Sequence, residues 1–256
     1  GGDQKTISIW DLYSGQKLHE IEEFNDKVYH INFDPIQKMI SVAGNSPDIY
    51  LFEVSHASLV GRLRNGHNKK CLYSFFTNNS NLLSIGSENQ MILWDLNTKS
   101  VLRKSEIKPH TINESGIEVS AAAVTSDFKS VLVGVQETKL AKGGQSMIFR
   151  YNLATYDCQT GIMKNIIEGN AKHINQIGLT PDNKYCILDN STLRTKKISF
   201  YNIETGEIEK SQEIKNDLNT FHISESGKNL ILAAPIQKKI ANNFMDIYKV
   251  SGNNCH

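Results

Sequence analysis

Met91-Ile92-Leu93-Trp94-Asp95-Leu96 is an alternating aliphatic run that closes on an aromatic, then an acidic residue and the turn Asn97-Thr98-Lys99. The pattern occurs earlier as Ile7-Ser8-Ile9-Trp10-Asp11-Leu12, followed by Tyr13-Ser14-Gly15, and as Ile49-Tyr50-Leu51-Phe52-Glu53-Val54. It returns as Met147-Ile148-Phe149-Arg150-Tyr151-Asn152-Leu153, Ile198-Ser199-Phe200-Tyr201-Asn202-Ile203 and Met245-Asp246-Ile247-Tyr248-Lys249-Val250. The closing aromatics stand at 10, 52, 94, 151, 201 and 248, so the spacings are 42, 42, 57, 50 and 47. A period near 40–50 residues with insertions marks a repeat architecture.

Two further markers keep step with the first. Before each later copy lies an apolar strand, a polar turn and a second apolar strand. The turns are Asp34-Pro35-Ile36-Gln37, Thr77-Asn78-Asn79-Ser80, Thr125-Ser126-Asp127-Phe128, Thr180-Pro181-Asp182-Asn183 and Ser224-Glu225-Ser226-Gly227. Asp, Asn and Ser bond to nearby backbone, Pro presets φ and Gly supplies positive φ, so these are hairpin turns. After most aromatics comes a turn such as Gln159-Thr160-Gly161 or Glu204-Thr205-Gly206, opening into another strand. Each unit therefore supplies four short strands, in the second unit about Val28–Phe33, Met39–Ala43, Ile49–Val54 and Ser58–Leu63. Short turns force antiparallel pairing. No stretch holds helical periodicity over three turns. A lone four-stranded sheet buries too little, whereas sheets packed radially bury both faces. The expected fold is all-β, a β-propeller of four-stranded antiparallel blades.

The 256 residues balance 28 Lys and Arg against 27 Asp and Glu. That balance argues against a nucleic-acid or membrane binder working by bulk electrostatics. No apolar run approaches the roughly 18 residues of a membrane span, and the first residues lack the basic leader and apolar core of a signal peptide. Cys71, Cys158, Cys186 and Cys255 are scattered without a C-x-x-C pair, which fits free thiols in a reducing compartment. The expected location is intracellular, cytoplasmic or nuclear.

The sequence resembles the WD40-repeat family, through Gly1-Gly2-Asp3-Gln4-Lys5-Thr6-Ile7-Ser8-Ile9-Trp10-Asp11-Leu12 and through Ser84-Ile85-Gly86-Ser87-Glu88-Asn89-Gln90 leading into Trp94-Asp95, preceded by Gly66-His67. The likeness runs over the whole chain, although Phe52, Tyr151, Tyr201 and Tyr248 replace Trp in the other units. An aromatic still fills the space between blades. Of the family's His–Ser/Thr–Asp–Trp network, the resemblance leaves His67, Ser84 and Trp94, with Glu88 or Asn89 in place of the Asp. Apolar packing is therefore expected to hold the blades more than this network does. The chain starts at the third strand of one unit, runs through four complete blades and ends after three strands of another. That is about five blades' worth of a single domain over residues 1–256, expected to be an excerpt of a seven-bladed ring whose first unit lacks its two inner strands.

Three longer connections, Lys108–Glu118, Gln136–Gln145 and Ile236–Asn243, are expected on one face, where Lys139, Lys142, Lys238 and Lys239 make it basic. Loops on a rigid scaffold carry recognition. Residues at the start of each inner strand, Lys27, Tyr29, Lys69, Lys70, Glu118, Lys172 and Asp217, join them as partner-contacting candidates, by resemblance to the family. Taken singly, each is better explained as a solvated rim residue. The eight His lie outside any G-x-S-x-G, H-E-x-x-H, P-loop or G-x-G-x-x-G motif, and His67 reads as a buried hydrogen-bonding residue. The expected function is a non-catalytic protein–protein interaction scaffold, a subunit of a larger complex, with no cofactor or metal. A propeller hydrolase or lyase with a channel-mouth site and an RNA-processing subunit are the alternatives, direct nucleic-acid binding being disfavoured by the charge balance.

Overall fold

The computed structural model describes residues 6–22, 24, 26–34, 36–77, 80–108, 116–140, 147–170, 173–191, 195–214, 220–224, 229–233 and 245–249. Every regular element among them is a strand, and every strand pairing is antiparallel. The chain divides into two compact units, residues 1–108 and 109–256.

The first unit opens with a two-stranded sheet of β1 (Ile7–Trp10) and β2 (Lys17–Ile21). A four-stranded sheet follows, β3 (Val28–Asp34), β4 (Met39–Gly44), β5 (Ile49–Glu53) and β6 (Ser58–Leu63), then another of β7 (Cys71–Thr77), β8 (Asn81–Gly86), β9 (Gln90–Asp95) and β10 (Ser100–Glu106). Strands pair in chain order. Ile7, Ile21, Phe24, Ile40, Val42 and Phe52 form the core between the first two sheets. Ala43, Leu51, Leu63, Phe76, Leu82, Ile92 and Trp94 belong to the next core cluster. Ile40 and Val42 serve one cluster and Ala43 the other, because successive residues of a strand face opposite sides.

The second unit repeats the plan. Its first sheet is β11 (Gly116–Val124), β12 (Ser130–Leu140), β13 (Met147–Asp157) and β14 (Met163–Asn170), and its second β15 (Gly178–Leu179), β16 (Tyr185–Asp189), β17 (Lys197–Asn202) and β18 (Ile208–Glu213). A three-stranded sheet of β19 (Thr220–Ile223), β20 (Asn229–Ala233) and β21 (Met245–Lys249) ends it. Leu132, Leu153, Ile174, Cys186, Leu188 and Tyr201 fill one interface; Ile187, Phe200, Phe221, Leu230 and Leu232 fill the next.

Two local devices recur. The turn from third to fourth strand is capped by the side chain that follows the closing aromatic. Asp11 accepts Tyr13 and Ser14 N–H, Asp95 accepts Asn97 and Thr98, Asp157 accepts Gln159 and Thr160, and Asn202 accepts Glu204 and Thr205. Four residues after each cap the backbone turns left-handed, at Gly15, Ala57, Lys99, Gly161 and Gly206, with φ between 53° and 76°. Gly takes this conformation without steric cost and Ala and Lys do not. The second device is a bulge just before the aromatic, at Ile9/Trp10, Leu51/Phe52, Thr155/Tyr156 and Phe200/Tyr201.

These markers correct one expectation. Tyr156, next to the bulge and before the capping Asp157, is in register with Trp94, and Tyr151 is not. Tyr156 is buried, while Tyr151 lies five residues up an unusually long strand and packs its ring 5.2 Å from that of His173. The aromatic spacings around it become 62 and 45 in place of 57 and 50.

Candidate interaction surface

Ser84 Oγ is the centre of the buried polar network. It accepts Trp94 Nε1–H at 2.8 Å and lies 2.7 Å from His67 Nε2, while His67 Nδ1 sits 2.6 Å from Glu88 Oε1. Glu88, not Asn89, thus takes the acid's place. A neutral imidazole protonated at Nδ1 satisfies every contact: it donates to Glu88 and accepts the Ser84 hydroxyl proton. Burial works against the Glu88 charge, but the hydrogen bond from His67 and backbone donors hold its carboxyl below the ordinary range. Gly66 has no alternative, since a Cβ there would collide with the Trp94 ring. The order acid, imidazole, hydroxyl is that of a catalytic relay. Here Ser84 is fully buried and its oxygen is occupied by the indole, so the chemistry available is structural. The sheet of β15–β18 uses a different set, with Asn190 Nδ2 donating to Tyr201 Oη at 3.1 Å. Cys71 and Cys186 are free and buried, and burial pushes the Cys186 thiol up to about 12, so neither is a nucleophile at neutral pH.

The first unit brings several expected contact residues together. Lys27 and Tyr29 lie at the start of β3, and Lys69 and Lys70 precede β7; all four are exposed. Lys70 Nζ sits 5.5 Å from the Tyr29 ring centre, and Tyr29 Oη reaches Asn45 Oδ1 at 3.5 Å. Backbone bonds fix the rim: Asn45 N–H donates to Lys27 O, and Cys71 N–H to Ser46 O. Next to Tyr29, His30 points to the following sheet, its ring 4.8 Å from Phe75, with Nδ1 3.5 Å from the Ser74 amide. Burial pushes the His30 pKa down to about 4, against the raising effect of the Ser74 contact.

In the second unit the insertion expected at Gln136–Gln145 is a β-arm. β12 and β13 pair from Ser130↔Asp157 out to Leu140↔Met147. β11 starts opposite Thr138 and β14 stops opposite Tyr151. The arm therefore projects past both neighbours and the outer edge of Met147–Arg150 has no strand beside it among the described residues. Met147, Ile148 and Phe149 are 54%, 47% and 50% exposed, although consecutive residues of a strand face opposite ways. Each face of the arm thus carries exposed apolar side chains, Met147 and Phe149 on one and Ile148 on the other. Lys139 lies directly across from Ile148, and Glu118 is exposed at the arm's base. The insertion is marked in the sequence by its length and its Lys residues, whereas Met147-Ile148-Phe149 reads there as part of the repeated run that closes on an aromatic.

Lys142, Lys172, Asp217, Lys238 and Lys239 lie outside the described residues, as do the side chain of Tyr248 and the connections at 109–115 and 234–244. Phe52 and Tyr201 are buried in the clusters that fill the spaces between sheets. Trp10 is not: it is 56% exposed, because Ile7 and Ile9 turn toward the second sheet and Trp10 turns away from it.

No family model matches the chain. It is 25% identical over 223 residues to Protein tipD of Dictyostelium discoideum, an alignment covering 86% of this chain and 33% of the relative. The chain thus spans about a third of the length of that curated relative. A chain in a crystal structure of the Mitotic Checkpoint Complex superposes with a TM-score of 0.64 at 16% identity, covering 90% of this chain and 65% of the other. At that identity the likeness speaks to fold. With its repeated four-stranded antiparallel sheets, the chain has a WD40-like β-propeller fold.

Proposed function

We propose that the protein is a non-catalytic interaction module built from divergent WD40 repeats, working as a subunit of a larger intracellular assembly. The observation that carries this is the β12–β13 arm. Three consecutive apolar side chains stand in solvent on a two-stranded projection, where an isolated domain gains nothing from them. An arm open on both faces and along one edge suits a partner that encloses it, pairs with its free edge and buries Phe149 as an anchor. The superposition on a chain of a multiprotein checkpoint complex supports the same class of role. Lys27, Tyr29, Lys69 and Lys70 form a second, rim-like contact zone in the first unit, whose charges would set specificity.

Affinity purification from the native source tests this. The double variant Ile148→Ser/Phe149→Ser is expected to melt within about 2 °C of wild type, since surface changes away from structural features cost little. It is also expected to lose at least one stoichiometric partner. Retention of every partner at unchanged abundance would show that the arm is not the docking element.

A further inference from the structure

A cavity of about 420 Å³ opens between the sheets β11–β14 and β15–β18, beside their hairpin turns. The matching groove of the first unit, between β3–β6 and β7–β10, is filled from within. There Lys99 lies against Gly61, where a Cβ would collide with its side chain, and Lys99 Nζ donates to Val60 O at 3.0 Å. Strand register matches the two places residue for residue. Leu51 pairs with Gly61 and Thr155 with Asn165, while Met39 stands across from Glu53 and Ser130 from Asp157. Lys99 and Gly206 hold the same left-handed position of the turn. The second groove therefore has no filler, and its wall carries Thr155, Ser130 and Asn165 where the first has Leu51, Met39 and Gly61.

The unused hydrogen-bonding capacity of this wall is that of a donor set. Thr155 is 4% exposed, lines the cavity and makes no hydrogen bond among the described residues. The residue before the closing aromatic is Ile9, Leu51, Leu93 or Phe200 in the other sheets, so packing does not require a hydroxyl there. An unsatisfied hydroxyl at such a place costs stability. Ser130 Oγ accepts a Lys164 Nζ proton at 3.1 Å and keeps its own to give. Asn183 Oδ1 accepts the Ser126 N–H and O–H, which leaves its Nδ2 protons. Asn165 Oδ1 accepts Ile166 N–H, and its Nδ2 gives one proton to Glu204 O and retains the other. Lys164 and Lys184 stand against one acid among the lining residues, Glu204, and Asp157 holds Lys164 in place at 3.0 Å.

We propose that this cavity binds one carboxylate, the Asp or Glu side chain of a partner protein, seated where Lys99 lies in the first unit. A carboxylate is acceptor-only and suits a wall whose amide oxygens are already taken, whereas a carboxamide would bring two further donors. No Arg lines the cavity and acids already stand beside it, so the bidentate clamp and charge excess that favour a phosphate are missing. The site uses none of the arm residues from Met147 to Arg150, and either can stand without the other.

The test titrates the 256-residue chain with three blocked amino acids, N-acetyl-glutamate amide, N-acetyl-glutamine amide and N-acetyl-phosphoserine amide. Binding is followed by the backbone amide shifts of Thr155, Asn165, Asn183 and Lys184. The glutamate compound is expected to give saturable shifts and to bind at least about fivefold more tightly than the other two. Thr155→Val is expected to weaken it at least about threefold while the melting temperature stays within about 2 °C, since apolar residues hold that place elsewhere. Gly206→Lys, which supplies the missing filler on a backbone that Lys99 already tolerates, is expected to abolish binding. Absence of saturable shifts in the wild type would overturn the proposal, as would unchanged binding by Gly206→Lys. Equal binding of the glutamine compound, or tighter binding of phosphoserine, would overturn the carboxylate assignment. A Thr155→Val chain that melts lower yet binds as tightly would make the hydroxyl structural and overturn its role.

Discussion

Ser84 shows how much one hydroxyl can hold. It takes the Trp94 indole proton and gives its own to His67, which in turn satisfies Glu88. Ser84→Ala strands the indole N–H and the imidazole nitrogen in a buried site, and the expected cost is about 2–3 kcal/mol in urea unfolding at pH 7. Glu88→Gln keeps an acceptor for His67 and should cost less; a reversed order would mean that the carboxylate, and not the hydroxyl, is central. His30 supplies a pH dependence. Folded His30 stays neutral down to about pH 4, whereas in the unfolded chain it takes a proton near its ordinary 6.5. Its contribution is therefore complete above about pH 6.5 and is lost as pH falls toward 4. The melting temperature should fall across that window, and His30→Gln should flatten the fall. Asp157, held at about 2 first of all by the Thr160 amide, loses its contribution only below about pH 4 and does not overlap.

At the scale of elements, the recurring turn decides the register. Gly161, at φ 67°, and Ala57, at φ 53°, occupy the same place in two units. Gly161→Ala is expected to destabilise by about 1 kcal/mol and Ala57→Gly to be neutral or stabilising, read by denaturant midpoints. The turn was legible in the sequence, since Asp-x-x-x-Gly depends only on neighbours along the chain. Tyr151 shows where legibility stopped. Met147-Ile148-Phe149 alternates with the chemistry of a buried third strand, yet it is the outer part of an eleven-residue strand whose inner part, Leu153–Tyr156, does the packing. Hairpin length is set by pairing with β12, which no local pattern reports. The Asp157–Gly161 spacing marks the register, because the cap and the left-handed residue sit at fixed distances from the aromatic before them.

Across the whole molecule, the fold class was legible because repetition multiplies weak signals; each unit needs the same strands, turns and interface aromatic. Exposure was not legible. Trp10 and Trp94 sit in the same local motif, one half in solvent and one fully buried, because burial is decided by which sheet lies opposite. The proposed contact surface shares that limit. The rim of Lys27, Tyr29 and Lys70 follows from repeat geometry, whereas the apolar arm follows from pairing. That arm is the proposed docking element of a non-catalytic module. Hydrogen exchange of the protein with its co-purified partner tests it most directly. The account predicts that Met147–Arg150 amides slow at least about tenfold on binding. Protection confined to other strands, with these four amides exchanging as in the free protein, would contradict it.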